Sequence, residues 1–220
     1  LRGLDKVHVL RTEENGGYGS GNQAGIDYAV TYLEAGYVII ANPDIHVRAC
    51  CIERVKLALD GMPEAVMASA RVTSPEGGDL FSYWTLLPMW KDLLDTGLIT
   101  RRLFKPMLNT PAYRLKEGGD EGCRLVDAVP GSFFMLKLGL LTPQEIKELF
   151  DRHMFLYYEE KVLGQKFKEM GLKTLLVTDA SYVHAHSATI DKSVKRIVDK
   201  QKLLHESKRY YYREYLHGTP

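Results

Sequence analysis

Five consecutive apolar residues, Tyr37-Val38-Ile39-Ile40-Ala41, stand between Gly36 and the pair Asn42-Pro43, and they set the fold class of this chain. The run is too short for a helix and lacks polar alternation, so it reads as a strand buried on both faces, as in parallel sheets. A helical pattern precedes it from about Asn22 to Glu34, with Ile26, Ala29, Val30 and Leu33 on one side and Gly36 as its stop. A second helix is expected from about Val47 to Asp60, ahead of the strand-like Ala65-Val66-Met67-Ala68-Ser69. Strands alternating with helices predict an α/β sheet. Ligands of such sheets gather at strand carboxyl ends, and Asp44 lies just beyond one.

A chain of 220 residues, 45% hydrophobic and 26% charged, suits one globular domain with an appendage. We assign residues 1–190 to the α/β body and 191–220 to a helical tail. Between about 71 and 124 the periodicity fails amid Gly, Pro and the aromatics Phe81, Tyr83, Trp84 and Trp90, which predicts an irregular insert or lid. Val7 to Leu10 and Leu172 to Val177 read as strands, and Leu125 to Lys137 as strand-like segments about Pro130-Gly131. Thr142-Pro143-Gln144-Glu145 carries a cap, a first-turn proline and a capping-box acid. A further helix is expected from about Tyr158 to Met170, closed by Gly171, and one long amphipathic helix beyond Ile190.

A net charge of +1 gives no basic face for a nucleic-acid partner. Positive charge is local, with Lys192, Lys195, Arg196, Lys200, Lys202, Lys208, Arg209 and Arg213 crowding the tail. That pattern suits either a solvated helix face or a face laid on anionic lipid. Cys50, Cys51 and Cys123 form neither a disulfide framework nor a metal-ligand spacing, which predicts a reduced, cytoplasmic setting. No apolar run approaches the ~20 residues that span a bilayer, so any membrane contact is expected to be peripheral, through the basic tail.

Four stations carry chemistry. The segment Asn15-Gly16-Gly17-Tyr18-Gly19-Ser20-Gly21-Asn22 reads as a loop whose glycines permit close backbone approach to an anionic ligand. Asn42-Pro43-Asp44 places a hard oxygen ligand at a strand end. Phe155-Leu156-Tyr157-Tyr158-Glu159-Glu160 puts two carboxylates at a helix start, where acids also complement the helix dipole. His184 and His186 sit two apart in an extended segment and so share one face.

In this order the stations resemble the inverting GT-A glycosyltransferases, specifically the large family-2 group of rhamnosyl- and capsular-polysaccharide-type enzymes. The resemblance runs from about Val7 to Tyr212 and is thin from Arg71 to Arg124. It implies a GT-A (Rossmann-like) mixed sheet with flanking helices, a nucleotide-sugar donor, and a glycan or lipid-linked acceptor. Glu160 is then the general base and Glu159 shapes the site; Gly19, Gly21, Asn22, Asn42 and Asp44 contact the donor. Asp44, with His184 and His186, holds magnesium or manganese on the diphosphate, Asn42 standing where the family's first acid does. Val126-Asp127-Ala128-Val129-Pro130-Gly131-Ser132 resembles the acceptor-side segment, which assigns Gly131, and Trp84 is placed there to stack on a sugar. The family's opening strand-turn-helix-strand unit precedes the first of these motifs, so the chain is expected to be truncated at its N-terminus.

Two other classes stay open. Gly19-Ser20-Gly21-Asn22-Gln23-Ala24 fits the G-x-G-x-x-G/A fingerprint of NAD(P)-dependent oxidoreductases, with Asp44 about 20 residues on. A non-catalytic scaffold or partner subunit, working through its tail, is the other. The Tyr-rich tail also offers a surface on which two copies can pair.

Overall fold

The computed structural model describes residues 6–96, 98–104, 122–185 and 197–217. Seven helices are described: α1 Gly17–Leu33, α2 Ala49–Gly61, α3 Met89–Thr96, α4 Leu98–Leu103, α5 Pro143–Lys147, α6 Glu159–Glu169 and α7 Ile197–Glu214. The strands are β1 Tyr37–Ala41, β2 Ile45–His46, β3 Ala65–Thr73, β4 Cys123–Val126, β5 Phe133–Lys137 and β6 Lys173–His184.

The six strands form one mixed sheet in the order β1-β5-β3-β6-β2, with β4 also paired to β6. β3 and β6 are parallel, and β5 runs antiparallel to both β1 and β3. The chain is therefore α/β with a mixed sheet and flanking helices. β1 was expected to be a doubly buried parallel strand; it is instead an antiparallel neighbour of β5 with Ile39 exposed and only Ile40 buried. Its apolar run reflects one buried face, because β5 is slotted between it and β3.

Alternation along β5 builds both cores at once. Phe134 and Leu136 point to the side of Ile26 on α1 and Leu163 and Phe167 on α6. Phe133 and Met135 point to the opposite side, against Val55 and Leu59 of α2. Helices thus cover both faces, and β1, β3 and β6 finish at the same end of the sheet.

α1 starts at Gly17, five residues before the expected Asn22, so the glycine segment is helix and not a loop. Tertiary contact overrides its weak helix propensity: Tyr18 N–H donates to Phe155 O at 3.1 Å, and Asn15 Oδ1 accepts from Gly17 N–H. At the other end Glu34, not Gly36, takes the left-handed cap position at φ 50°, and Ala35 N–H returns to Ala29 O. Residues 7–10 make no strand. β3 continues to Thr73, and a tight Ser74–Gly78 turn and α3 and α4 follow, so the described part of the insert is more regular than its sequence suggests. Thr142 and Glu145 form the reciprocal capping box with Pro143 in the first turn. In the tail, Tyr211 of α7 packs with Met154 and Val162. No helix among the described residues is long and apolar enough to cross a membrane.

Candidate functional site

The carboxyl end of β1 and the start of β5 face each other, Ala41 opposite Phe133, which brings Asn42 to the Gly131-Ser132 turn. Asn42 N–H donates to Ser132 O at 2.9 Å. Three residues on, β2 pairs with the last residues of β6, Ile45 opposite His184. Asp44 and His184 are thereby neighbours: Oδ1 lies 3.4 Å from Nε2, and both side chains are largely buried. That Asp44 oxygen makes no hydrogen bond, and His184 Nε2 is the polar group beside it. His186 lies outside the described residues.

Glu160 meets the same turn from α6. Its Oε1 accepts the Gly131 N–H at 3.1 Å, while the Tyr18 hydroxyl donates to Gly131 O at 2.6 Å. The Gly131 peptide is so held from both sides. A Cβ at Gly131 would stand 2.7 Å from Glu160 Oε1 and 2.8 Å from the Tyr18 oxygen, so only glycine lets these groups converge. Ser132 Oγ and the Tyr182 hydroxyl share a 2.7 Å hydrogen bond beneath them.

The turn that delivers the two carboxylates is strained. Tyr157 and Tyr158 both have positive φ, 73° and 70°, a conformation that costs an aromatic residue of order 1–3 kcal/mol each. Backbone and side-chain bonds hold it: Phe155 O accepts from Tyr18, and Leu156 O accepts from Ser207 Oγ at 2.7 Å. Asp92 of α3 supplies a second anchor. Buried, it accepts from Lys161 at 2.9 Å, Lys208 at 3.1 Å, and the hydroxyls of Tyr212 at 2.5 Å and Tyr158 at 3.4 Å. Burial pushes its carboxyl up, and Lys161, Tyr212 and Lys208 more than reverse that, holding it below its ordinary range. α3, α6 and α7 are thus joined directly behind the carboxylates.

Glu159 is buried, and its Oε1 has no hydrogen-bond partner. Burial, then the charge of Glu160, pushes its pKa from 4.5 to about 8. Burial also raises Glu160, against the pull of its own amide, the Gly131 amide and Lys161. The Tyr18 hydroxyl is raised by burial and by both carboxylates. Carboxyls shifted toward neutrality are suited to moving protons.

The shift at Glu159 also bears on stability. Between pH 4.5 and about 8 the folded state keeps a proton that the unfolded chain releases, so stability falls as pH rises through that window. Glu159→Gln is expected to flatten this slope and to be the more stable protein at alkaline pH by roughly 2–4 kcal/mol. Denaturant melts at acid and alkaline pH check it; parallel pH profiles for the two proteins would sink it.

Not every expected residue converges. Gly19 packs on Phe150, away from the turn, and Gly21 faces open space. Both lie inside α1, so the fingerprint Gly19 to Ala24 does not join a strand to a helix as dinucleotide sites require. Asn22, one turn beyond Tyr18, has a buried side-chain amide beside the Tyr18 hydroxyl. Trp84 is bound through its backbone to Ala128, 2.8 Å from N–H to O, and its ring packs edge-on against Phe81 at 4.7 Å. It stands near the acceptor-side segment but is engaged in packing. Tyr18, Ser132, Tyr182 and Asp92 were not singled out from sequence. Tyr18 and Ser132 lie inside the glycine-rich and acceptor-side segments, and Tyr182 stands two residues before His184 and so on its face of β6.

Among the described residues no group of three His, Cys, Asp or Glu side chains could hold a metal; Asp44 and His184 are a pair. A lone carboxylate fits a cation that arrives with phosphate oxygens, as magnesium sites commonly do. No protein-family model matches the chain, and no curated protein matches it. Among solved structures it is similar to "Crystal Structure of A197 from STIV", with 10% identity over 82% of this chain and 72% of that one and a TM-score of 0.47.

Proposed function

We propose that the chain is a GT-A-type inverting glycosyltransferase that passes a sugar from a nucleotide-diphosphate sugar to a hydroxyl of a glycan or lipid-linked acceptor. The observation that carries this reading is the seating of the Glu160 carboxylate on the Gly131 amide, at the end of the sheet where β1 leads into the Asp44–His184 pair.

Each group then has one task. Glu160, oriented through Oε1, takes the acceptor hydroxyl's proton as that oxygen bonds to the anomeric carbon. The bond from that carbon to the diphosphate breaks, and the nucleoside diphosphate leaves with the electron pair, so the centre inverts. Asp44, with His184 beside it, would hold magnesium or manganese, which would supply positive charge at the diphosphate. Tyr18 and Ser132 keep the Gly131 turn in register with Glu160. A lipid-linked acceptor would bring the protein to the inner face of a membrane.

Calorimetric titration of the natural gene product with UDP, dTDP and GDP, each with and without manganese, tests this, with NAD in parallel. We expect one nucleoside diphosphate to bind, about tenfold or more tighter with manganese, and the metal effect to vanish in Asp44→Ala. Binding of NAD, or of no nucleotide at all, would overturn the reading.

A further inference from the structure

The helices between β3 and β4 turn large apolar side chains into solvent. On α3, Trp90 and Leu93 are 51% and 50% exposed; on α4, Ile99 and Leu103 are 76% and 71% exposed, and Phe104 just beyond is exposed as well. The spacings are i,i+3 and i,i+4, so each pair shares one side of its helix. Asp92 fixes which side that is. It points the other way, into its buried contacts with Lys161 and Lys208, and leaves the Trp90-Leu93 side outward. Large apolar side chains exposed together on neighbouring helices mark a contact.

Charge identifies the partner. Lys91 lies beside the patch with Nζ 5.2 Å from the Trp90 ring centre, Arg102 is exposed on α4, and Arg101 adjoins it in the sequence. Of the two acids on α3, Asp92 and Asp95, Asp92 is buried and paired with two lysines. Apolar side chains with a tryptophan, rimmed by cations, match the boundary between acyl chains and anionic headgroups. The described part of α7 fits that role less well than its sequence suggests. Lys208 is turned inward onto Asp92, while the exposed Lys202 and Arg213 are matched by Glu206 and Glu214.

We propose that α3 and α4 form the docking surface of this protein for an anionic lipid bilayer. Trp90, Leu93, Ile99, Leu103 and Phe104 enter the headgroup boundary, and Lys91 and Arg102 rest against lipid phosphates. The surface does not depend on the transfer reaction. It does place α6, tied to α3 through Asp92 and Lys161, alongside the bilayer.

The test is sedimentation of the full chain with vesicles of phosphatidylcholine alone and of phosphatidylcholine mixed with phosphatidylglycerol, at low and high salt. We expect pelleting with the mixed vesicles, weakened by salt, and an affinity at least about tenfold lower for the triple variant Leu93→Ser, Ile99→Ser, Leu103→Ser. All three positions are exposed, so an unchanged melting temperature certifies the fold of that variant. Mixed vesicles should also blue-shift the tryptophan fluorescence of the parent, and Trp90→Phe should abolish the shift. Absence of pelleting, or equal pelleting of the triple variant, overturns the proposal. So does a dimer in solution that the triple variant dissociates, which would assign the surface to a second copy. A negative nucleotide titration would leave these results as they stand.

Discussion

Glu160→Gln is expected to lower kcat for sugar transfer by about 10³-fold while donor affinity stays within about twofold of the parent. The amide keeps an oxygen for the Gly131 N–H, so the turn and Tyr18 should hold their places, and only the capacity to take a proton is lost. Single-turnover kinetics beside calorimetric donor binding separate the two quantities. The parent's acid limb should lie above the ordinary carboxylate range, since burial raises Glu160 and a base works only when ionised. Glu159, with its pKa near 8, titrates with it, so the limb belongs to the pair. Transfer at an undiminished rate in Glu160→Gln would remove Glu160 from the role of base.

Gly17→Ala should cost about 3 kcal/mol of stability or more. Gly17 has φ 87°, and a Cβ there would sit 2.0 Å from the carbonyl oxygen of Phe155. Backbone cannot retreat as a flexible side chain can, so the start of α1 must move off the turn that carries Tyr157 and Tyr158. The loss should therefore reach the carboxylates as well as the melting curve. Gly21→Ala is the matched control. That site is helical with nothing within 4 Å, and alanine there should stabilise by about 0.5–1 kcal/mol through helix propensity. Equal stability of the two variants in urea would show that the α1 contact with Phe155 is not what holds the turn.

Much of the fold was legible locally. The Thr142-Pro143-Gln144-Glu145 cap needs only neighbouring backbone, and it is present as read. The periodicity of α2 and the apolar run of β1 located those elements within a few residues, because burial of one face leaves its mark on composition. The start of α1 was not legible. Its glycines are poor helix formers, and what makes them helical is a contact with Phe155 and Phe150 far along the chain. Nor could periodicity reveal that β5 slots between β1 and β3, since an apolar strand carries no label for its partner or its direction.

The site divides in the same way. Asp44, Glu159, Glu160 and His184 were readable as residue types at strand and helix ends. Their pairings were not, because they depend on register: Ile45 opposite His184 brings Asp44 to the histidine, and Ala41 opposite Phe133 brings the Gly131 turn to Asn42. Asp92 stood as an ordinary acid in an irregular stretch. Only packing makes it the buried partner of two lysines and two tyrosines from α6, its preceding turn and α7.

By itself, the sequence determined the α/β class, the helix caps and the chemical kinds of side chain available, since these follow from local periodicity and composition. The tertiary structure decided strand order, the strained Tyr157-Tyr158 turn and the upward pKa shift of the paired carboxylates. Those properties arise from long-range contacts and from exclusion of water, which residue order alone does not encode.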